Sequence, residues 1–246
     1  KFASNRVKRS LLNYLGYSLE INDLDLPETL DSPIESQNAM GGIIHSLPLQ
    51  LTYEGDLDEE GILGNTRKQY TLFGTMEGGL RLVDAANGVE QMTFVPSEIL
   101  LSTTAQIALK PEQSNATGLA HGVDAPWVAD ARYEAKATTV SEKTTTAMTA
   151  SRMNVYGGLR MGGESYYGLD FLNPKDAKFL FRIGSNQPDF SRMGQSWSKP
   201  VIANIKFQGK VRRVMIVGGG YDTCYENPRF TLKGSGDDLT CATKTK

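Results

Sequence analysis

Glycines set close together after a strand can cradle a phosphate, and the stretch VYGGLRMGGESYYGLDFLNP, residues 155–174, carries Gly157, Gly158, Gly162 and Gly163. Such a site needs the glycine turn to lead from a strand into a helix N-terminus, whose N–H groups hold the anion. Here the turn leads into aromatic, strand-forming residues, and neither GxGxxG nor GxxxxGK[ST] occurs. A parallel stretch, GTMEGGLRLVDAANG, places Gly74, Gly78 and Gly79 equivalently. These glycines are therefore read as hairpin turns and close strand packing in a repeated element, not as a ligand loop.

Other residues with chemical potential are sparse. His45 and His121 each lie just upstream of a proline, so they are read as doing one repeated structural job. Ser46 adjoins His45, but neighbouring strand residues point to opposite faces and cannot form a nucleophile–base pair. Asp84 and Asp170 precede AANG and LNP and are expected to cap turns. Asp56, Asp58 and Glu60 alternate in GDLDEEG, a hard-oxygen cluster too short for an EF-hand; Asp237 and Asp238 form a weaker one. Both are read as solvated acidic turns.

The two cysteines, Cys224 and Cys241, lack a metal-ligand spacing and nearby histidines. They are either free thiols or a disulfide; the disulfide is preferred, because exposed free thiols on a loop are a liability. Such a bond would stabilise by roughly 3 kcal/mol and implies an oxidising compartment. A net charge of −2 gives no reason to expect nucleic-acid binding, and the run Lys210, Arg212, Arg213 is read as a solvated strand end. No apolar run approaches the roughly 18 to 20 residues that span a bilayer.

The elements that hold these residues follow a pattern. Residues 1–40 read as a helix, with Phe2, Val7, Leu11, Leu12 and Leu15 at three- and four-residue steps and Gly16 as its stop, then a polar linker. Residues 41–246 read as short strands in three similar units. Pro48, Pro126 and Pro200 open the units at intervals of roughly 75 residues. Each unit offers a strand opened by proline, a strand ending in glycine, a strand ending near Asp84 or Asp170, and an outer strand. The expected fold is all-β: a partial β-propeller of about three blades, with a short N-terminal helix and long inter-strand insertions. One insertion, EGDLDEEGILGNTRKQ, is expected to be a hairpin tip and another, EAKATTVSEKTTTAMTAS, a β-ribbon or loop. The segment LLSTTAQIALKPEQSNATG is expected to hold a short helix. The start at Lys1 suggests a piece of a longer protein.

In order, GGIIHSLPL, LFGTMEGGLRLVDAANGVEQMTFVPSEIL, HGVDAPWVAD, VYGGLRMGGESYYGLDFLNPKDAKFLFRIG, MGQSWSKPVIANI and VMIVGGGYD resemble the C-terminal domain of the PilC/PilY family of type IV pilus tip adhesin and biogenesis proteins. The resemblance spans residues 41–222. It implies a modified, quinoprotein-like propeller exported through the periplasm to the outer membrane, cell surface or pilus tip. Implied partners are minor pilins of the tip complex and a host-cell or abiotic surface. The family's calcium loop, DxDxDxxxD, would lie beyond Lys246, so calcium is expected only in the full-length protein and no cofactor in this part. A surface location agrees with the Cys224–Cys241 bond. Two alternatives stand beside this non-enzymatic reading: a quinoprotein-type propeller dehydrogenase, for which Trp127 and Trp197 would have to serve quinone stacking, and an outer-membrane assembly scaffold without an adhesin role.

Overall fold

The computed structural model describes residues 4–30, 40–102, 121–140 and 143–223. Helix α1 (Asn5–Tyr14) begins where the Ser4 hydroxyl accepts the Val7 N–H and stops at Gly16, whose φ of 95° belongs to the left-handed region. The linker does not simply trail away. Arg9, almost fully buried, donates to the carbonyls of Glu20 (3.1 Å), Leu24 (3.1 Å) and Asp25 (2.6 Å) and folds that loop back on the helix.

Two four-stranded antiparallel meanders follow. The first is β1 (Leu49–Leu57), β2 (Leu63–Gly74), β3 (Leu80–Asp84) and β4 (Glu90–Phe94); a short α2 (Ser97–Leu100) follows it. The second is β5 (Trp127–Val140), β6 (Lys143–Gly157), β7 (Ser165–Asp170) and β8 (Lys178–Gly184). A third unit is represented among the described residues by the hairpin β9 (Val201–Phe207) and β10 (Lys210–Ile216), a separate sheet. Each unit opens one residue after its proline, and β2 and β6 end on Gly74 and Gly157. Proline fits just ahead of the ladder because it has no N–H to offer it. Repeated four-strand meanders are the blade pattern of a propeller, here partial and curled into a half-barrel.

The two meanders are not separate blades. The far end of β1 pairs with β6, from Glu54 opposite Thr149 to Leu57 opposite Thr146, which makes one eight-stranded sheet. Both predicted insertions are therefore hairpin extensions, but they merge into a shared arm in the order β2–β1–β6–β5 instead of standing apart. A short helix, α2, ends on Leu100, the first residue of LLSTTAQIALKPEQSNATG; the helix expected within that segment falls on residues 103–120, outside the described residues.

The core joins both units. Leu51, Tyr53, Leu72, Leu80 and Leu82 pack with Met153, Val155, Tyr167, Leu169 and Phe171. Tyr53 donates its hydroxyl to the Phe171 carbonyl (2.5 Å), and Phe94 meets Tyr167 edge to face at 5.6 Å. Burial lifts the Tyr14 hydroxyl to about 12, with the neighbouring Glu77 carboxylate adding to the rise. A group whose folded value lies above its unfolded value of 10 contributes stability that is complete below pH 10 and lost as pH climbs toward 12. Burial also raises Tyr53 and Tyr167. Alkaline denaturation should thus begin near pH 10, and Tyr14→Phe should lessen the slope of stability against pH, measured by urea unfolding from pH 9 to 12.

Candidate functional site: the glycine-loop junction

The glycine loops of the first two units face each other across the segment 121–126. The Thr75 carbonyl accepts the Val123 N–H (3.0 Å) from one side, and the Leu159 carbonyl accepts the Asp124 N–H (3.4 Å) from the other. A Cβ on Gly74 would run into the Val123 carbonyl, and one on Gly162 into the Gly122 carbonyl. Gly157 lies flat against the buried Trp127 ring, and a Cβ on Gly158 would sit 2.5 Å from the Ser196 carbonyl. Gly79 and Gly163 are less confined, with side chains at 3.0 and 2.8 Å. Backbone at Gly74, Gly158 and Gly162, and side chains at the others, occupy the space that these glycines leave open.

Their role is close approach more than turn geometry. Of the seven, only Gly78 has a positive φ, 110°. In the second loop the left-handed position belongs to Arg160, at φ 57°. That conformation costs a non-glycine residue about 1 kcal/mol or more and persists where surroundings fix it. Here the Arg160 N–H donates to the Ser196 carbonyl (3.1 Å) and its guanidinium to Asp124 (2.9 Å), while lying 4.2 Å over the Trp197 ring. Ser196, fully buried, accepts the Leu159 N–H (2.8 Å) and donates to the Gly163 carbonyl (3.1 Å). YGGLRMGG and SWSKP are thus locked to one another.

Asp124 is the centre of charge at this junction. Its side chain is 2 % exposed and accepts from the His45 N–H (2.9 Å), His45 Nδ1 (2.7 Å) and Arg160 Nη1. Arg160 Nη1 and His45 Nδ1 converge on the same Asp124 oxygen, Oδ2. The expected equivalence of the histidines does not hold. His45, three residues before Pro48, is half exposed on this network, whereas His121, five residues before Pro126, has its Nδ1 buried without a partner; the residue two before each proline differs as well. In the first unit that residue is Ser46, whose hydroxyl accepts the Gly74 N–H (2.7 Å); in the third it is Ser198, which accepts the Gly218 N–H (2.8 Å). The second unit has Asp124, which turns to His45 and Arg160 instead. The signal was a serine or aspartate two residues ahead of proline, in SLP, DAP and SKP. Ser46→Ala is expected to cost about 1–2 kcal/mol, since it strands a buried N–H, and Ser198→Ala less, at a more exposed position; urea unfolding measures both.

Two further clusters fasten the units, and sequence reasoning missed both. Glu98 on α2 accepts from Ser165 (3.1 Å), Tyr167 (3.2 Å) and Arg182 (2.9 Å). Asp130, nearly buried on β5, is bound by Arg152 of β6 and Arg213 of β10. Arg213 is therefore not simply part of a solvated strand end; it ties the third unit to the second. Trp127 is buried in the core, and Trp197, 39 % exposed, packs between Arg160 of the second unit and Tyr221.

The turn residues act in matched pairs. Asp84 accepts from Ala86 N and Asn87 from Val89 N; at the same place in the second unit, Asp170 accepts from Leu172 N and Asn173 from Lys175 N. Asp58 accepts the Ile62 N–H (2.7 Å) at the β1–β2 tip, and no group of three potential metal ligands forms among the described residues. Cys224, Cys241, Asp237 and Asp238 lie outside the described residues.

The fold and junction define a β-propeller-like domain whose glycine loops pack on protein. Among solved structures, the chain is similar to the Pseudomonas aeruginosa PilY1 C-terminal domain, with a TM-score of 0.39 and 22 % identity over 63 % of this chain. It spans about a quarter (25 %) of that chain's length. No protein-family profile matches, and no curated protein sequence matches. No helix among the described residues is long and apolar enough to cross a membrane.

Proposed function

We propose that the chain is a non-enzymatic scaffold and interaction domain of a type IV pilus tip protein, acting at the outer surface in pilus assembly and attachment. The observation that carries this reading is the junction itself. The blocks YGGLRMGG and SWSKP, which bear the resemblance to the PilC/PilY proteins, meet through Ser196, Arg160 and Asp124. Their conspicuous residues are used to bind one part of the chain to another. A domain built this way presents its hairpin arms and loops to partners such as minor pilins, or to a surface.

Deleting the gene in the bacterium that encodes it should reduce surface pili and attachment, and restoring it should recover both. Unchanged piliation and adhesion would reject the reading. A quinoprotein dehydrogenase is separated by titrating the protein with pyrroloquinoline quinone. A cofactor spectrum with alcohol oxidation would replace the scaffold reading with the enzymatic one.

A further inference from the structure

β5 lies at the margin of the sheet. Its inner edge pairs with β6 along its 14 residues, and among the described residues no strand pairs with its outer edge. The irregularity beside Arg132 places the extra residue, Ser151, on β6, so β5 itself runs unbroken. Arg132 to Ala137 are all exposed. A long, regular open edge is a pairing template, and folded proteins normally blunt such edges or use them.

The sequence along this edge is Asp130, Ala131, Arg132, Tyr133, Glu134, Ala135, Lys136. Read outward from Tyr133, it is inverted in charge: arginine against glutamate, alanine against alanine, aspartate against lysine. We propose that β5 pairs antiparallel with β5 of a second copy, about a two-fold axis at Tyr133. In a two-fold interface, each contact between residues i and j occurs twice. Arg132 of each copy then faces Glu134 of the other on one sheet face. Ala131 faces Ala135 on the other face, where the two Tyr133 rings meet. Asp130, already held by Arg152 and Arg213, meets Lys136 at the margin.

Charge also selects the register. Centring the axis on Arg132 would set arginine against arginine and Asp130 against Glu134. Centring it on Glu134 would set Arg132 against Lys136. Like charges directly opposite destabilise an antiparallel pair. An axis at Ala135 keeps only the Glu134–Lys136 pairs and leaves Arg132 without an opposite charge.

Sedimentation velocity of the 246-residue chain across a concentration series tests this. A monomer–dimer equilibrium is expected. Arg132→Glu and Glu134→Arg should each weaken it about tenfold, because two attractive pairs become repulsive. An equimolar mixture of the two variants should dimerise again, and so should the double variant R132E/E134R, since opposite charges then face each other. Both positions are exposed, and circular dichroism with thermal unfolding checks that each variant is folded. A monomer at all concentrations up to about 1 mM overturns the proposal and leaves the edge to a strand of another protein. A dimer indifferent to the single variants, or not restored by mixing, overturns it too.

Discussion

Gly162→Val is expected to destabilise the chain by about 3 kcal/mol or more, read as a fall in the urea midpoint. The cause is local and steric. The atom in the way is the Gly122 carbonyl oxygen, part of a backbone held from both sides by Thr75 and Leu159. A side chain can swing aside, but this carbonyl cannot move without pulling the two glycine loops apart. Gly163→Ala should cost less, because its nearest neighbours are the ends of the Leu159 and Glu98 side chains. Gly42→Ala is the control: nothing lies within 4 Å of its Cβ position, and the change should stay within about 0.5 kcal/mol of neutral. A Gly162→Val protein as stable as the parent would show that the loops are not packed as described.

Asp124→Ala should be comparably damaging, at about 3 kcal/mol. It removes the acceptor of three hydrogen bonds and leaves Arg160, 18 % exposed, without its carboxylate. Arg160 also holds a left-handed backbone position that the ion pair helps to maintain. Arg160→Ala alone loses the pair and the stacking on Trp197, yet leaves Asp124 with both His45 donors. The two substitutions should therefore be non-additive by about 1 kcal/mol or more in a double-mutant cycle of unfolding free energies. Additive losses would mean that Asp124 and Arg160 act independently.

Strands and turns were legible because their signals are local. Prolines at the strand starts, glycines at the ends of β2 and β6, and the turn-capping of Asp84 and Asp170 all reappear as read. What could not be read is which strands meet across units. A period of two gives the face of a strand and not its neighbour, so the β1–β6 pairing was invisible. The same limit hid Asp130 and Glu98. Each is a single acid in an ordinary-looking segment, and its arginine partners lie on other strands. The histidines misled because placement upstream of proline was taken as equivalence, whereas His45 stands three residues before its proline and His121 five.

The β1–β6 seam also governs how the chain must come together. Pairing strands so far apart in sequence means closing a long loop before any contact compensates for it, a topology that folds slowly. During synthesis β1 emerges well before β6, so the arm edge of the first meander stays open until most of the second has been made. The two meanders should consequently mature together as one cooperative body, and an interval of aggregation risk precedes the arrival of β6.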